Sequence, residues 1–391
     1  MASLVLFYMR GGFSAVHLKK DVGLFPKYLQ KEYFDSAEIV KVGTDDKNDY
    51  SSENLKVSDL FFEPRVGEAS FQQSKKFEIK CIIKSFLYLL KHPNVTHIMI
   101  FNVTRYSVGL AFLIKHFLPR RKIYLKLDAN TQIARQLASL PQSFARKLFF
   151  RMVSCVDVVS VETKQNYDIL RGNPFLAKKL YLVPNGFEKP LENDGIEKEN
   201  IIITVGTLGL PVKNTPVLLE VLKKLDLKDW KFYFTGPIVA EFKKTVDSFF
   251  SENPQLKDKV IFTGAVYDLQ KLAELYMRAK VFILPSKYES FGIATIEAAS
   301  YGDYLILTDT GCARDIIFDE RFGFILPNSG TEQQKEEKLV SSISVHLQKI
   351  IDGEIDVMKD CVERRKKVFE KFSMENIVKL PVFREWGNME Y

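Results

Sequence analysis

Short apolar, β-branched runs alternate with longer amphipathic ones along the whole chain, and they fall into two series. In the first half, strand-like runs are predicted at 4–8, 38–42, 97–102, 122–127, 156–161 and 180–183, with helical runs between them at 75–91 and 107–117, among others. The second series comprises 201–205, 231–234, 260–262, 281–284 and 304–307, with helical runs such as 215–224 and 269–279. Strands that alternate with helices in this way predict parallel sheets covered on both faces, an α/β class. The polar segment from Gly43 to about Ser58 has little periodicity and is expected to be a mobile loop. Between the two series lies Pro184-Asn-Gly-Phe-Glu-Lys-Pro-Leu-Glu-Asn-Asp-Gly195, a turn-rich and charged stretch with the marks of a linker. Two Rossmann-like domains follow, at 1–190 and 191–371, with a tail at 372–391. Ligands of such sheets bind at the carboxyl ends of the strands, so the expected site is a cleft where the two domains face each other.

Composition changes this picture little. A chain of 391 residues is long for one α/β core, and 46% hydrophobic with 27% charged residues is the balance of a globular protein. No apolar run reaches 18 residues, and the start, Ser-Leu-Val-Leu-Phe-Tyr, lacks the features of a secretory signal. Cys81, Cys155, Cys312 and Cys361 are far apart, without metal-ligand spacing, which suits a reducing cytoplasm.

Charge is more informative. Residues 1–190 hold 29 Lys+Arg against 17 Asp+Glu, and the remainder 27 against 32, giving +12 and −5 within the total of +7. A basic half beside a mildly acidic one implies different partners for each. An anionic membrane or a phosphate-bearing lipid would suit the first half. No nucleic-acid module is present, and nucleic acid is not expected as a partner.

The stretch richest in chemistry runs from Val281 to Gly302. Val281–Leu284 reads as a buried strand ended by Pro285 and Ser286, and Ile293, Ile296 and Ala299 recur at helical spacing up to Gly302. Glu289 falls in the connecting loop and Glu297 in the second helical turn. The helix start near Phe291, Gly292 and Ile293 offers unpaired N–H groups and a positive dipole end, where a phosphate can dock. Carboxylates on either side of an anion site suit a ligand with hydroxyls at both ends and phosphates between them. The plainer reading, two solvated glutamates, fits Glu297 poorly because Ile296, Ala298 and Ala299 surround it.

This stretch resembles the Glu-x7-Glu signature of the retaining glycosyltransferases of family 4 through Pro285, Ser286, Glu289, Phe291, Gly292, Glu297 and Ala298. The resemblance implies the two-domain GT-B fold. It makes Glu289 the donor-sugar contact, Glu297 the ribose contact, and the backbone after Glu289 the diphosphate cradle. Val183-Pro-Asn-Gly186 is similar to the family's domain junction, whose closing helices return to the first domain. A tail packed on the second domain alone is an equally good reading of 372–391 from its residues.

Other segments extend the resemblance and depart from it. Gly206-Thr-Leu-Gly-Leu-Pro-Val-Lys213 follows the first strand of the second series, a glycine turn and a lysine ahead of a helix. It is similar to the family's diphosphate-gripping segment, with Lys213 matching the lysine but Thr207 standing where the family has an arginine. One cation fewer should weaken the grip unless another base, such as Lys287, reaches in. Met9-Arg10-Gly11-Gly12-Phe13 looks like the glycine loop that covers the donor, with His17 just beyond. Asp128, at the end of Tyr124-Leu-Lys126-Leu-Asp128, takes the place of a family histidine that touches the donor sugar. It binds a sugar hydroxyl, orients the acceptor or caps a helix. Glu289 and Asp128 are thus the candidates for work at the reacting sugar. No side chain is assigned as general base, because in this family a leaving-phosphate oxygen takes that role.

The implied activity is retaining transfer of a sugar from a nucleotide-diphosphate sugar to a hydroxyl of a saccharide or lipid-linked acceptor. No cofactor is expected beyond that donor substrate, and with no Asp-x-Asp triplet no metal either. Val16–Gly23 and Tyr124–Asp128 look like segments of enzymes that build bacterial capsule, exopolysaccharide or O-antigen. A helical run, Ser143-Phe-Ala-Arg146-Lys147-Leu-Phe-Phe150-Arg151-Met, lies in a region, 101–150, with nine bases and one acid, and could touch the inner face of an anionic membrane. A packed face opposite a solvated one is the simpler account of that run. Two rival functions stand beside transfer: a glycoside hydrolase using Glu289 and Glu297 as its carboxylate pair, and a non-catalytic binder of sugar nucleotides or lipid headgroups.

Overall fold

A computed structural model of the chain describes residues 2–9, 12–44, 50, 55–63, 74–139, 143–191, 196–326 and 332–389. The chain divides into two compact units, Met1–Glu188 with Ser373–Tyr391, and Lys189–Phe372.

The first unit is built on a seven-stranded sheet. Its strands are β1 (Ser3–Tyr8), β2 (Ser36–Gly43), β3 (Lys56–Phe62), β4 (Val95–Phe101), β5 (Lys122–Lys126), β6 (Val158–Val161) and β7 (Leu180–Leu182). Their order is β3-β2-β1-β4-β5-β6-β7, and every pairing is parallel. All six residues of β1 are buried, as a strand covered by helices on both faces requires. After β3 the chain returns to the other side of β1 to form β4. The carboxyl ends of β1 and β4 are therefore a topological switch point, where α/β sheets open a crevice.

β3 corrects the sequence reading, which ran a loop to about Ser58. Residues 45–49 and 51–54 lie outside the described residues, but Lys56–Phe62 is an edge strand in parallel register with β2. Its sequence, Lys-Val-Ser-Asp-Leu-Phe-Phe, is only partly buried, so it carries no continuous apolar run to betray it. An ion pair from Lys41 to Asp59 (2.5 Å) helps to hold it.

The second unit repeats the plan with six strands: β8 (Ile201–Val205), β9 (Lys231–Thr235), β10 (Val260–Gly264), β11 (Val281–Leu284), β12 (Tyr304–Thr308) and β13 (Gly323–Leu326). The order is β10-β9-β8-β11-β12-β13, again all parallel. Its switch point lies at the carboxyl ends of β8 and β11. β13, four residues beginning with glycine, is too short for its periodicity to mark it.

The tail belongs to the first unit. Met374, Phe383 and Trp386 are fully buried in the core on one face of the first sheet, with Leu4, Phe25 and Tyr124. The His97 and Trp386 rings meet edge to face at 4.9 Å, and His97 Nε2 is 2.9 Å from the Trp386 carbonyl oxygen. Burying that indole inside the first core is the gain that fixes where the tail goes.

Candidate functional site

In the second unit, the loop after β8 and the loop after β11 meet at the switch point. Lys287 N–H donates to the Val212 carbonyl at 2.8 Å and so ties one loop to the other. Across this tie, Lys213 Nζ lies 2.7 Å from Glu289 Oε1. The Ser286 hydroxyl donates to the same carboxylate oxygen, also at 2.7 Å. Thr308, at the end of β12, donates in turn to the Ser286 carbonyl at 2.5 Å. Glu289 is thus held by a cation and a hydroxyl whose own positions are set by three adjacent strand ends.

The next residues turn into the helix Ile293–Ser300. Its N-cap is Gly292, in the left-handed region at φ 96° and without a side-chain cap, so the first N–H groups are free of side-chain competition. Phe291 is buried and meets Phe372 edge to face at 6.0 Å, which anchors the turn. Gly311 packs against the outside of this loop at φ 55°. A Cβ there would stand 2.3 Å from the Phe291 carbonyl oxygen and 2.8 Å from Glu289 Cβ. Only glycine fits that approach.

Glu297 sits one turn further along the helix and faces the helix Leu269–Arg278, where the Tyr276 hydroxyl donates to its Oε2 at 3.3 Å. Burial first, and then the Glu297 charge, push the Tyr276 phenol far above its usual range, so it stays a donor. Thr207, half-buried after β8, brings no positive charge to the loop.

The first unit assembles a different group at its strand ends. Lys126 Nζ and Glu162 Oε1 pair at 2.6 Å with both side chains fully buried. Asp128 N–H donates to the same Glu162 oxygen at 3.0 Å, and Asp128 takes the left-handed region at φ 43°. Asp128 is not the helix cap. Asn130 caps the helix Thr131–Ala138, accepting from Ile133 N–H at 2.9 Å. Asp21 completes the cluster; burial raises its pKa to about 6, Lys126 opposes the rise, and Asp128 and Glu162 add to it.

Gly11 lies outside the described residues. Gly12 has φ 78° with open space where a Cβ would be. His17 lies in a helical turn, Ala15–Leu18, where Ser14 N–H donates to its Nδ1 at 3.1 Å and its ring stacks on Phe13 at 5.3 Å.

The fold therefore brings Lys213, Thr207, Glu289, Phe291, Gly292, Ile293 and Glu297 into one unit, while Asp128 and Gly12 stand in the other. Sequence reasoning quotes Ser286 without giving it a role, and passes over Gly311 and Tyr276 in the first group and Asp21 and Glu162 in the second. Glu162 had a signal of its own, since it follows a strand as Asp128 does. Tyr276 and Gly311 had none, because their roles depend on which helix and which loop pack beside them. Among the described residues no group of three or more His, Cys, Asp or Glu could hold a metal ion.

Residues 188–344, which span both loops and the helix behind them, match the family described as glycosyl transferases group 1. This part of the chain is similar to the group 1 glycosyl transferases. The fold of the whole chain is that of the GT-B glycosyltransferases. Among solved structures, the lipopolysaccharide outer core galactosyltransferase WaaB superposes with a TM-score of 0.67 at 15% identity, covering 99% of each chain. Anabaena Alr3699/HepE in complex with UDP and glucose gives 0.64 at 14% identity, covering 96% of each chain. At these identities the likeness is one of fold. By sequence, an uncharacterized 41.2 kDa protein of the Klebsiella pneumoniae cps region is 25% identical over 159 residues, 40% of this chain and 41% of that protein. The first curated relatives are matched over only 24% to 51% of their own length.

Proposed function

We propose that the protein transfers a sugar from a nucleotide-diphosphate sugar to a hydroxyl acceptor with retention of the anomeric configuration. The observation that carries this reading is the pairing of Lys213 with Glu289 beside the uncapped helix start at Gly292. A cation, backbone N–H groups and a fixed carboxylate meet there at the switch point of the second sheet. That set suits a diphosphate followed by a hydroxylated ring. The match to the glycosyltransferase family over the same residues supports it, as does the UDP and glucose bound by a protein of like fold.

In the proposed reaction the bond from the sugar's anomeric carbon to the diphosphate oxygen breaks, and its electron pair leaves with the diphosphate. The acceptor oxygen bonds to that carbon on the face the diphosphate vacates. The acceptor's proton passes to the departing phosphate oxygen. Lys213 and the N–H groups at 291–293 stabilise the charge that develops on the leaving group. Glu289 accepts from hydroxyls of the sugar, and Glu297 from the ribose. Asp128, held by Glu162, takes a hydroxyl of the acceptor or of the donor sugar. The relation to a protein of a cps region and the fold shared with a lipopolysaccharide galactosyltransferase favour assembly of a bacterial surface polysaccharide.

The test is release of nucleoside diphosphate from uridine, guanosine and adenosine diphosphate sugars, with bacterial saccharide and lipid-linked acceptors supplied. Acceptor-dependent release by the wild type, with loss in Glu289→Gln, is expected. Nucleotide binding without turnover on any acceptor would instead make the chain a sugar-nucleotide binding protein, the reading to which the missing arginine at Thr207 points. Liberation of free sugar from an oligosaccharide without any nucleotide would make it a hydrolase.

A further inference from the structure

The first unit carries an apolar surface that the donor site does not explain. On the helix Lys75–Lys91, Ile79, Ile83, Leu87 and Leu90 are between 45% and 55% exposed. They recur at steps of four, four and three, which places them on one stripe opposite the buried Cys81, Ser85 and Leu89. Exposed leucines and isoleucines are common singly, but four in one helical row are not. The helix Arg105–Phe117 packs beside it, with Phe86 and Phe117 edge to face at 5.9 Å, and adds exposed Phe112 and Phe117 to the same surface. The helix Phe144–Val153 packs against Arg105–Phe117 in turn and contributes Phe144, 82% exposed, and Leu148.

The charge of these helices is predominantly positive. Residues 75–91 hold five bases and one acid, 105–122 five and none, and 143–153 three and none. Among the described residues, Glu63, Glu78 and Asp157 each pair with a base, Lys80, Arg105 and Lys115. Lys75, Lys76, Lys84 and Lys91 are exposed along the row itself, and Arg120, Lys147 and Arg151 near it. Lysine stems let such a rim reach phosphates while the apolar row sinks below them.

We propose that this face of the first unit docks on an anionic lipid bilayer. Charge complementarity selects that occupant, because a second copy of the chain would bring a face of the same positive sign against this one. The sequence alone suggested lipid contact for 143–152. The structure moves the centre of the surface to the helix Lys75–Lys91 and leaves 143–153 at its margin. The inference stands apart from the reaction, since none of these residues belongs to the candidate donor site.

The experiment is co-sedimentation of the full chain with vesicles of pure phosphatidylcholine and with vesicles holding about 30% phosphatidylglycerol. Two double variants are compared with wild type: Ile83→Glu with Leu87→Glu, and Lys84→Glu with Lys91→Glu. All four positions are exposed, and circular dichroism verifies that each variant is folded. Wild type should bind the anionic vesicles at least tenfold more tightly than the neutral ones, less so in 0.5 M salt, and each variant should lose at least tenfold. Equal binding to both vesicles, binding to neither, or binding that both folded variants keep would overturn the proposal. So would a concentration-dependent dimer that Ile83→Glu with Leu87→Glu abolishes, which would assign the face to a second copy.

Discussion

Lys213 Nζ and Glu289 Oε1 lie 2.7 Å apart although they are 76 positions apart in the chain. The contact joins the loop after the first strand of the second sheet to the loop after the fourth, and two of the three charged side chains that the second unit is proposed to bring to the donor meet in it. A diphosphate arriving between the helix start and Lys213 would take over that cation and leave Glu289 free to accept from sugar hydroxyls. The ion pair is thus a resting arrangement that the donor is expected to open.

Lys213→Ala separates these roles. The pair is partly solvated, with side chains 26% and 13% exposed, so its loss should cost only about 1 kcal/mol of stability. Loss of the leaving-group cation should lower turnover by about 100-fold or more. Thermal unfolding beside steady-state nucleoside diphosphate release measures both, and a collapse of stability to match the loss of rate would make the lysine a structural residue.

Thr207→Arg tests the departure from the family pattern in the loop after β8. A guanidinium at this point on the loop adds a charge-assisted partner for a phosphate. Nucleoside diphosphate affinity should rise about tenfold by titration calorimetry, and nucleoside affinity should not. A rise shared by both ligands would mean that the side chain does not meet the phosphates.

Gly311→Ala should damage the site from behind. The added methyl would meet the Phe291 carbonyl at 2.3 Å in a left-handed backbone, a clash of the size that costs about 1–3 kcal/mol. Nucleotide affinity should fall with stability, because the loop that shifts is the one carrying Glu289. Gly353→Ala serves as the control, with φ 81° but nothing within 4 Å of the new Cβ, and should leave nucleotide affinity unchanged.

How much of this was legible in the sequence depended on the kind of signal. β1, β8 and β11 are continuous apolar runs, and burial on both faces writes itself directly into such runs. β3 did not, because an edge strand with Lys56, Ser58 and Asp59 has one side to solvent. Glu289, Gly292 and Glu297 stood out because one strand, one turn and one helix place them within nine residues of each other. The Lys213 contact, the Gly311 approach and the Tyr276 hydroxyl are long-range, set by strand order rather than by spacing. Asp128 was found as a residue, but its backbone bond to Glu162 needs the pairing of β5 with β6. The lysine-flanked apolar row on 75–91 was visible as a helix, yet only the packing of Cys81, Ser85 and Leu89 shows which side is left uncovered.

The docked tail predicts an acid-sensitive first unit. Burial lowers the His97 pKa from 6.5 to about 4, so the folded protein holds it neutral while an unfolded chain protonates it below 6.5. The unfolded state then binds more protons, and stability falls as pH drops from 6.5 toward 4, by about 3 kcal/mol at most from this residue. Denaturant titrations of wild type and His97→Gln should show the variant less stable at pH 7 and the gap narrowing by pH 4.5. A gap that widens in acid would reverse the sign of the argument.

Glu297 accepts from the Tyr276 hydroxyl and carries the ribose assignment. Glu297→Gln keeps an acceptor for that phenol and removes the charge. The decisive measurement is the thermal shift given by uridine, guanosine and adenosine diphosphates to wild type and to this variant. At least one of the three should raise the wild-type melting temperature by several degrees and the variant's by distinctly less. No shift with any of them, or shifts of equal size in both proteins, would contradict a nucleotide-sugar site built on Glu289, Lys213 and Glu297.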